Sequence, residues 1–150
     1  MELATVGQIA FEAEIEAVRL LAAWRDWSFE RPSQKTFRVA IPAKDGQVYH
    51  LEVECEGYGV RPPAFHWRNP TTGLLDEPCS MPAEGGYFHQ SGRICAPWNR
   101  LASMAGGPHL DWVDSDWREN PRTGATRTLA AMLIRIRHEL WGSNYRGRRA

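Results

Sequence analysis

Between Thr36 and Cys55 the chain alternates apolar and polar residues on both sides of an Asp45-Gly46 pair, and no other stretch narrows its folding choices as much. Phe37, Val39 and Ile41 are interleaved with Arg38 and Ala40. Beyond the turn, Tyr49, Leu51, Val53 and Cys55 are interleaved with His50, Glu52, Glu54 and Glu56. Successive strand side chains point to opposite faces, so the pattern encodes a hairpin with one buried face. It also puts Cys55 on the apolar side, where a thiol acts as a small hydrophobe.

Two helical segments flank this hairpin. From Leu3 to Trp27, the residues Leu3, Val6, Ala10, Ala13, Ala17, Leu20, Leu21 and Trp24 recur every three or four positions. This predicts an amphipathic opening helix, stopped by Arg31-Pro32-Ser33. Near the other end, Thr126 caps a second helix. Leu129, Met132, Leu133, Ile136, Leu140 and Trp141 form its core stripe, and Gly142 ends it. Between them lie a short third strand over Ala64–Trp67 and a long loop over Asn69–Gly86 with one further strand near Gly73–Leu75. A loop-like crossing then runs from Cys95 to Pro121 through Gly106-Gly107-Pro108. The fold class is α+β: an opening helix, a small antiparallel meander, an irregular crossing and a packing helix. At 150 residues with no repeat, one domain over 1–150 is expected, with its ordered core at about 3–141.

Lysine plus arginine and aspartate plus glutamate both total 18, so no global field draws the chain to nucleic acid or an acidic membrane. The acids concentrate early, at Glu2, Glu12, Glu14 and Glu16. The arginines concentrate late, at Arg135, Arg137, Arg146, Arg148 and Arg149, and read as a solvated face and a frayed tail. No apolar run reaches the ~18 residues of a membrane span and no basic-then-apolar leader opens the chain, so a cytoplasmic setting is expected. Three unpaired cysteines, Cys55, Cys79 and Cys95, fit a reducing compartment.

The chemistry concentrates in Phe88-His89-Gln90-Ser91-Gly92-Arg93-Ile94-Cys95-Ala96-Pro97, where a cysteine follows a Gly-x-Ile turn with a histidine nearby. Upstream stands Tyr58-Gly59-Val60-Arg61-Pro62-Pro63, whose prolines make a rigid turn. The two segments, in this order, resemble those of ubiquitin-conjugating enzymes, and particularly their divergent bacterial relatives. Tyr58–Pro63 is similar to the family's Tyr-Pro-x-x-Pro-Pro, and Ser91–Cys95 to its Asn-Gly-x-Ile-Cys. The resemblance spans roughly Leu3 to Trp141. It implies a conjugating enzyme that takes a ubiquitin-like modifier from an activating-enzyme-like protein as a thioester on Cys95. The acyl group then passes to an amine on an acceptor protein, with no metal or organic cofactor. It further implies a bacterial operon setting, antiviral defence included.

The chain also departs from that pattern. The family's His-Pro-Asn is absent, its place read by Gly85-Gly86-Tyr87, so its oxyanion role passes to His89, Asn99 or backbone amides. Arg93 or a protonated His89 would raise the thiolate fraction of Cys95. Asp114 and Asp116 are the candidates for orienting the incoming amine. The interval from Pro63 to Cys95 is longer than in the family, the opening helix is acidic where the family's is often basic, and the last two helices of many members are missing. Three other readings use the same residues. One is a modifier-binding module without activity. A second is a Cys-His hydrolase pairing Cys95 with His89, His109 or His138, with Asn99 orienting the imidazole. The third is a zinc site of Cys79, His89, Cys95 and His109. Trp98, Trp112 and Trp117 either line a groove for the modifier's tail or cover the core.

Overall fold

The computed structural model describes residues 3–103, 109 and 111–150. Glu2 and the Gly106–Pro108 turn of the sequence reading lie outside the described residues. Helix α1 (Val6–Arg25) begins at Thr5, whose side chain accepts from the Gln8 N–H while the Gln8 side chain accepts from the Thr5 N–H. This reciprocal cap satisfies two of the free donors at the helix start. The helix ends at Asp26, which takes a left-handed conformation (φ 61°), and not at Arg31-Pro32.

Those residues instead belong to an unanticipated strand, β1 (Ser28–Ser33), which pairs with β2 (Thr36–Pro42). Its register breaks between Glu30 and Ser33. Pro32 is tolerated because β1 is the sheet edge and the proline sits at that irregularity, where no ladder hydrogen bond is lost. Strands β2, β3 (Val48–Glu54) and β4 (Ala64–Trp67) complete a four-stranded antiparallel sheet in sequential order. The Asp45-Gly46 hairpin pairs Ile41 with Tyr49, Val39 with Leu51 and Phe37 with Val53. Those six residues, with Cys55, Phe65 and Trp67, make the fully buried face. The other face carries Arg38, Glu52, Arg68, His66 and Asp76 in ion pairs, among them Arg38–Glu52 at 2.8 Å and His66–Asp76 at 2.7 Å. Near Gly73–Leu75 the further strand is reduced to a single bridge between Arg68 and Leu75.

Helix α3 (Leu129–Trp141) packs beside α1 over the apolar face of the sheet. Its cap is Thr128, which accepts from the Ala131 N–H, two residues later than Thr126. Leu129, Met132, Leu133, Ile136 and Leu140 are buried, but Trp141 is largely exposed, with its indole N–H donating to the Pro42 carbonyl. The opening helix reverses the expected stripe. Phe11, Ile15, Val18 and Ala22 face the core, while Leu3, Val6, Ala10, Ala13, Ala17, Leu20 and Trp24 face away from it. Glu14 joins three distant segments by accepting from the Tyr58 hydroxyl and the Leu129 N–H, both at 2.8 Å.

The arginine-rich end is packed, not frayed. Tyr145 is buried with its hydroxyl against Tyr49 and Asp45. Arg148 donates to the Val48 and Cys79 carbonyls, and Arg149 to those of His89 and Gln90. No helix among the described residues is long and apolar enough to cross a membrane.

Candidate active site

Tyr87 to Cys95 doubles back on itself. The Phe88 and Ile94 backbones pair, the His89 N–H donates to the Arg93 carbonyl, and the Cys95 N–H donates to Tyr87. The reversal depends on Gly92, which has φ +88° and lies where a Cβ would come within 1.9 Å of Met81 Sδ. Only glycine meets both demands without displacing a neighbour. Trp67 Nε1 donates to the Gly92 carbonyl and fixes the turn to the end of β4. Cys95 therefore stands on the return limb, half-buried, beside the buried Trp98.

The segment after it is clipped to the sheet. Asn99 is fully buried; its Oδ1 accepts from the Phe65 N–H at 3.0 Å and the Leu101 N–H at 3.3 Å, and its Nδ2 donates to the Ile94 carbonyl at 2.9 Å. The Arg100 N–H donates to the Pro63 carbonyl, so the proline turn holds the crossing in place. Arg100 donates to Glu56 O and pairs with Glu54 at the start of the short helix α2 (Arg100–Ser103).

The partner of Cys95 is His109. Its Nε2 lies 3.0 Å from Cys95 Sγ. Its Nδ1 faces the Asp111 carboxylate at 3.9 Å, which favours the proton on Nδ1 and leaves Nε2 to accept the Cys95 thiol proton. The Trp112 ring stacks on the imidazole at 3.8 Å between centroids and 11° between planes, and the Arg122 guanidinium lies 6.0 Å from the Trp112 ring. Burial pushes the Cys95 thiol up, and the positive charge of Arg122 opposes that shift. The pair is thus a thiol held up by burial within hydrogen-bond distance of an imidazole nitrogen. Such a group becomes nucleophilic when the histidine takes the proton during attack.

Other expected site residues do different work. His89 spends Nδ1 on the Ser91 N–H within its own turn, at 3.1 Å, and Arg93 donates to the Leu101 carbonyl. Asn99 is enclosed by its three backbone partners, so it is a clamp rather than an oxyanion donor. Asp114 accepts from Ser103 Oγ at 2.6 Å and faces Arg61 at 3.7 Å. Asp116 is exposed in a cleft of about 350 Å³ behind Trp112, shared with Asp111 and Glu119. Cys79 is exposed and His138 lies on the outer face of α3. Among the described residues no three metal-ligating side chains converge, so the four proposed zinc ligands do not form one site. Trp98 and Trp117 are core residues, while Trp112 is only half-buried against His109. Asp111 and Arg122 have no distinguishing signal in the sequence, and Trp112 is marked there only as a groove-lining or core tryptophan.

Compared with protein-family models, with curated proteins and with solved structures, the chain matches none.

Proposed function

We propose that the protein is an acyl carrier of the ubiquitin-conjugating kind, holding a ubiquitin-like modifier as a thioester on Cys95. The observation that carries this reading is the placing of a half-buried cysteine on a hairpin limb clipped to β4, with His109 at 3.0 Å. The element order agrees with it: α1, a meander, the Tyr58–Pro63 turn, the cysteine crossing and α3. In the charging step Cys95 Sγ attacks the incoming thioester carbonyl, its proton passes to His109 Nε2, and the donor's sulfur departs. In discharge an amine attacks the same carbonyl and Cys95 sulfur leaves. Thiol-for-thiol exchange is close to thermoneutral, and a thioester carbonyl is more activated than an amide, so it asks less of an oxyanion site than amide cleavage does.

That point weighs against the second reading, a Cys-His hydrolase, which the 3.0 Å contact otherwise favours. Amide hydrolysis relies on preorganised donors at the oxyanion. Here the Cys95 N–H is given to Tyr87, the Ala96 N–H to Ile94, and Pro97 has none.

A peptide ending in a glycine thioester tests both readings. Acyl transfer predicts a mass adduct on Cys95, kept in Cys55→Ala and Cys79→Ala, lost in Cys95→Ala, and discharged faster by lysine than by water. An adduct that water clears as fast as lysine supports the hydrolase. No adduct removes both.

A further inference from the structure

Within α1 the residues Val6, Ala10, Ala13, Ala17, Leu20 and Trp24 follow one another at spacings of four and three in strict alternation, which is the repeat of a coiled-coil seam. All six are exposed. Val6 keeps 85% of its accessible surface, Trp24 76% and Leu20 55%. Leu3 and Ile9 extend the same apolar surface. Charged residues flank the stripe on both sides, Glu12, Glu16 and Arg19 on one and Glu14 and Arg25 on the other, with Glu16 paired to Arg19, Glu12 to Arg31 and the Arg25 guanidinium 4.7 Å from the Trp24 ring centroid. Side chains of this size, exposed to this degree, present about 600 Å² of apolar surface, as large as the largest patch of a typical monomer. Two such faces together would bury about 1,200 Å², the lower bound of a stable interface.

The geometry points to a second copy of this chain as the occupant, its α1 packed antiparallel on the first. The face is self-complementary in that direction. Setting Val6 against Trp24, Ala10 against Leu20 and Ala13 against Ala17 lets the helices approach closest at the central alanines and flanks that contact symmetrically with the larger side chains at both ends. A parallel pair would set Trp24 on Trp24 at one end and Val6 on Val6 at the other, so its axes would splay at the Trp24 end. Antiparallel helices also align their dipoles favourably, and the contact closes as a two-fold dimer. This dimer is independent of the chemistry at Cys95.

Sedimentation equilibrium of the full chain with reductant should give twice the 17.1 kDa chain mass at micromolar concentration. Ala13→Glu and Leu20→Glu should each weaken the dimer by 100-fold or more yet keep the parent's circular dichroism spectrum, because both sites are exposed within the subunit, and their melting temperatures should lose the concentration dependence that a dimer shows. In a Cys79→Ser background, mixing the Val6→Cys and Trp24→Cys chains under mild oxidation should give the mixed disulfide. A chain that is monomeric at 100 μM overturns the proposal, and binding of a different protein on this face by that monomer would assign the face to that partner. A dimer that survives both charge substitutions, or a Trp24→Cys chain that crosslinks mainly to itself, overturns it equally.

Discussion

Replacing Asn99 with alanine separates a clamp from a catalytic group. The Phe65 N–H points away from β3 to Asn99 Oδ1, and without that oxygen it is a buried donor with no acceptor. The Leu101 N–H loses its contact with Oδ1 as well, whereas the Ile94 carbonyl keeps the Ala96 N–H. An unsatisfied buried group costs about 1–3 kcal/mol, so the orphaned Phe65 N–H and the weakened Leu101 N–H together come to about 3 kcal/mol. In a domain of this size that lowers the melting temperature by about 6–12 °C. Asn99→Asp keeps the Oδ1 acceptor but sets a carboxylate oxygen against the Ile94 carbonyl, so it should also melt early, by a smaller margin. The assay is thermal unfolding followed by circular dichroism, run alongside the rate of Cys95 acylation. A chain that melts within 2 °C of the parent but charges a hundredfold more slowly would refute the clamp and restore Asn99 to catalysis.

Further outcomes follow from the same geometry. His109→Ala should slow Cys95 acylation at neutral pH by about 10² with little change in melting, and an unaltered rate would dissolve the pair. Trp112→Ala should slow it by only about 3–10-fold, since a ring stack contributes about 0.5–1.5 kcal/mol, with partial rescue by Trp112→Phe. Because burial raises the Cys95 thiol, alkylation by a neutral reagent should climb only above the ordinary thiol range, and Arg122→Gln should push that rise to still higher pH. Gly92→Ala should cost about 1–3 kcal/mol. Gly46→Ala, with nothing within 4 Å of its Cβ, should cost only the backbone strain of about 1 kcal/mol. Burial pushes Cys55 up to about 12 and raises Tyr49, Tyr58 and Tyr145. The unfolded chain releases these protons near 9.0 and 10.0 and so holds fewer than the native one above that range. Stability is therefore complete below about pH 9 and declines as pH rises; a melting temperature that stays level through pH 10.5 would contradict this.

The central hairpin is legible because period-two alternation leaves one choice of face: β2, β3 and the burial of Cys55 follow from it directly, whereas β1 does not show. The opening helix is not, because α1 carries two apolar stripes. Val6 through Trp24 repeats at the same three-and-four spacing as Phe11, Ile15, Val18 and Ala22, and periodicity does not rank them. Phe11, Ile15, Val18 and Ala22 face inward although the outer stripe holds the largest side chain of the helix, Trp24. Pro32 reads as a helix stop because proline breaks helices, whereas it lies in edge strand β1 at the register break, where no ladder hydrogen bond is lost. Cys95 stands out in the sequence as a nucleophile candidate from its local turn, but His109 is not singled out there from His89 and His138. His89, close in sequence, is consumed by that turn, whereas His109 arrives through the fold. The arginines at the end read as solvated from composition alone, since their partners are backbone carbonyls that carry no signature in the sequence.

Glu14 has a consequence for how the molecule comes to exist. Its carboxylate is matched only when the turn at Tyr58 and the first residue of α3 have both arrived, and Leu129 is 115 positions away along the chain. The meander can assemble from neighbours, but closing that distance shuts the whole excursion from Arg68 to Thr128 into one loop, with Cys95 inside it. Long-range closure of this kind comes late in folding. A chain caught halfway thus holds its sheet without the docking of α3 on α1 that Glu14 completes.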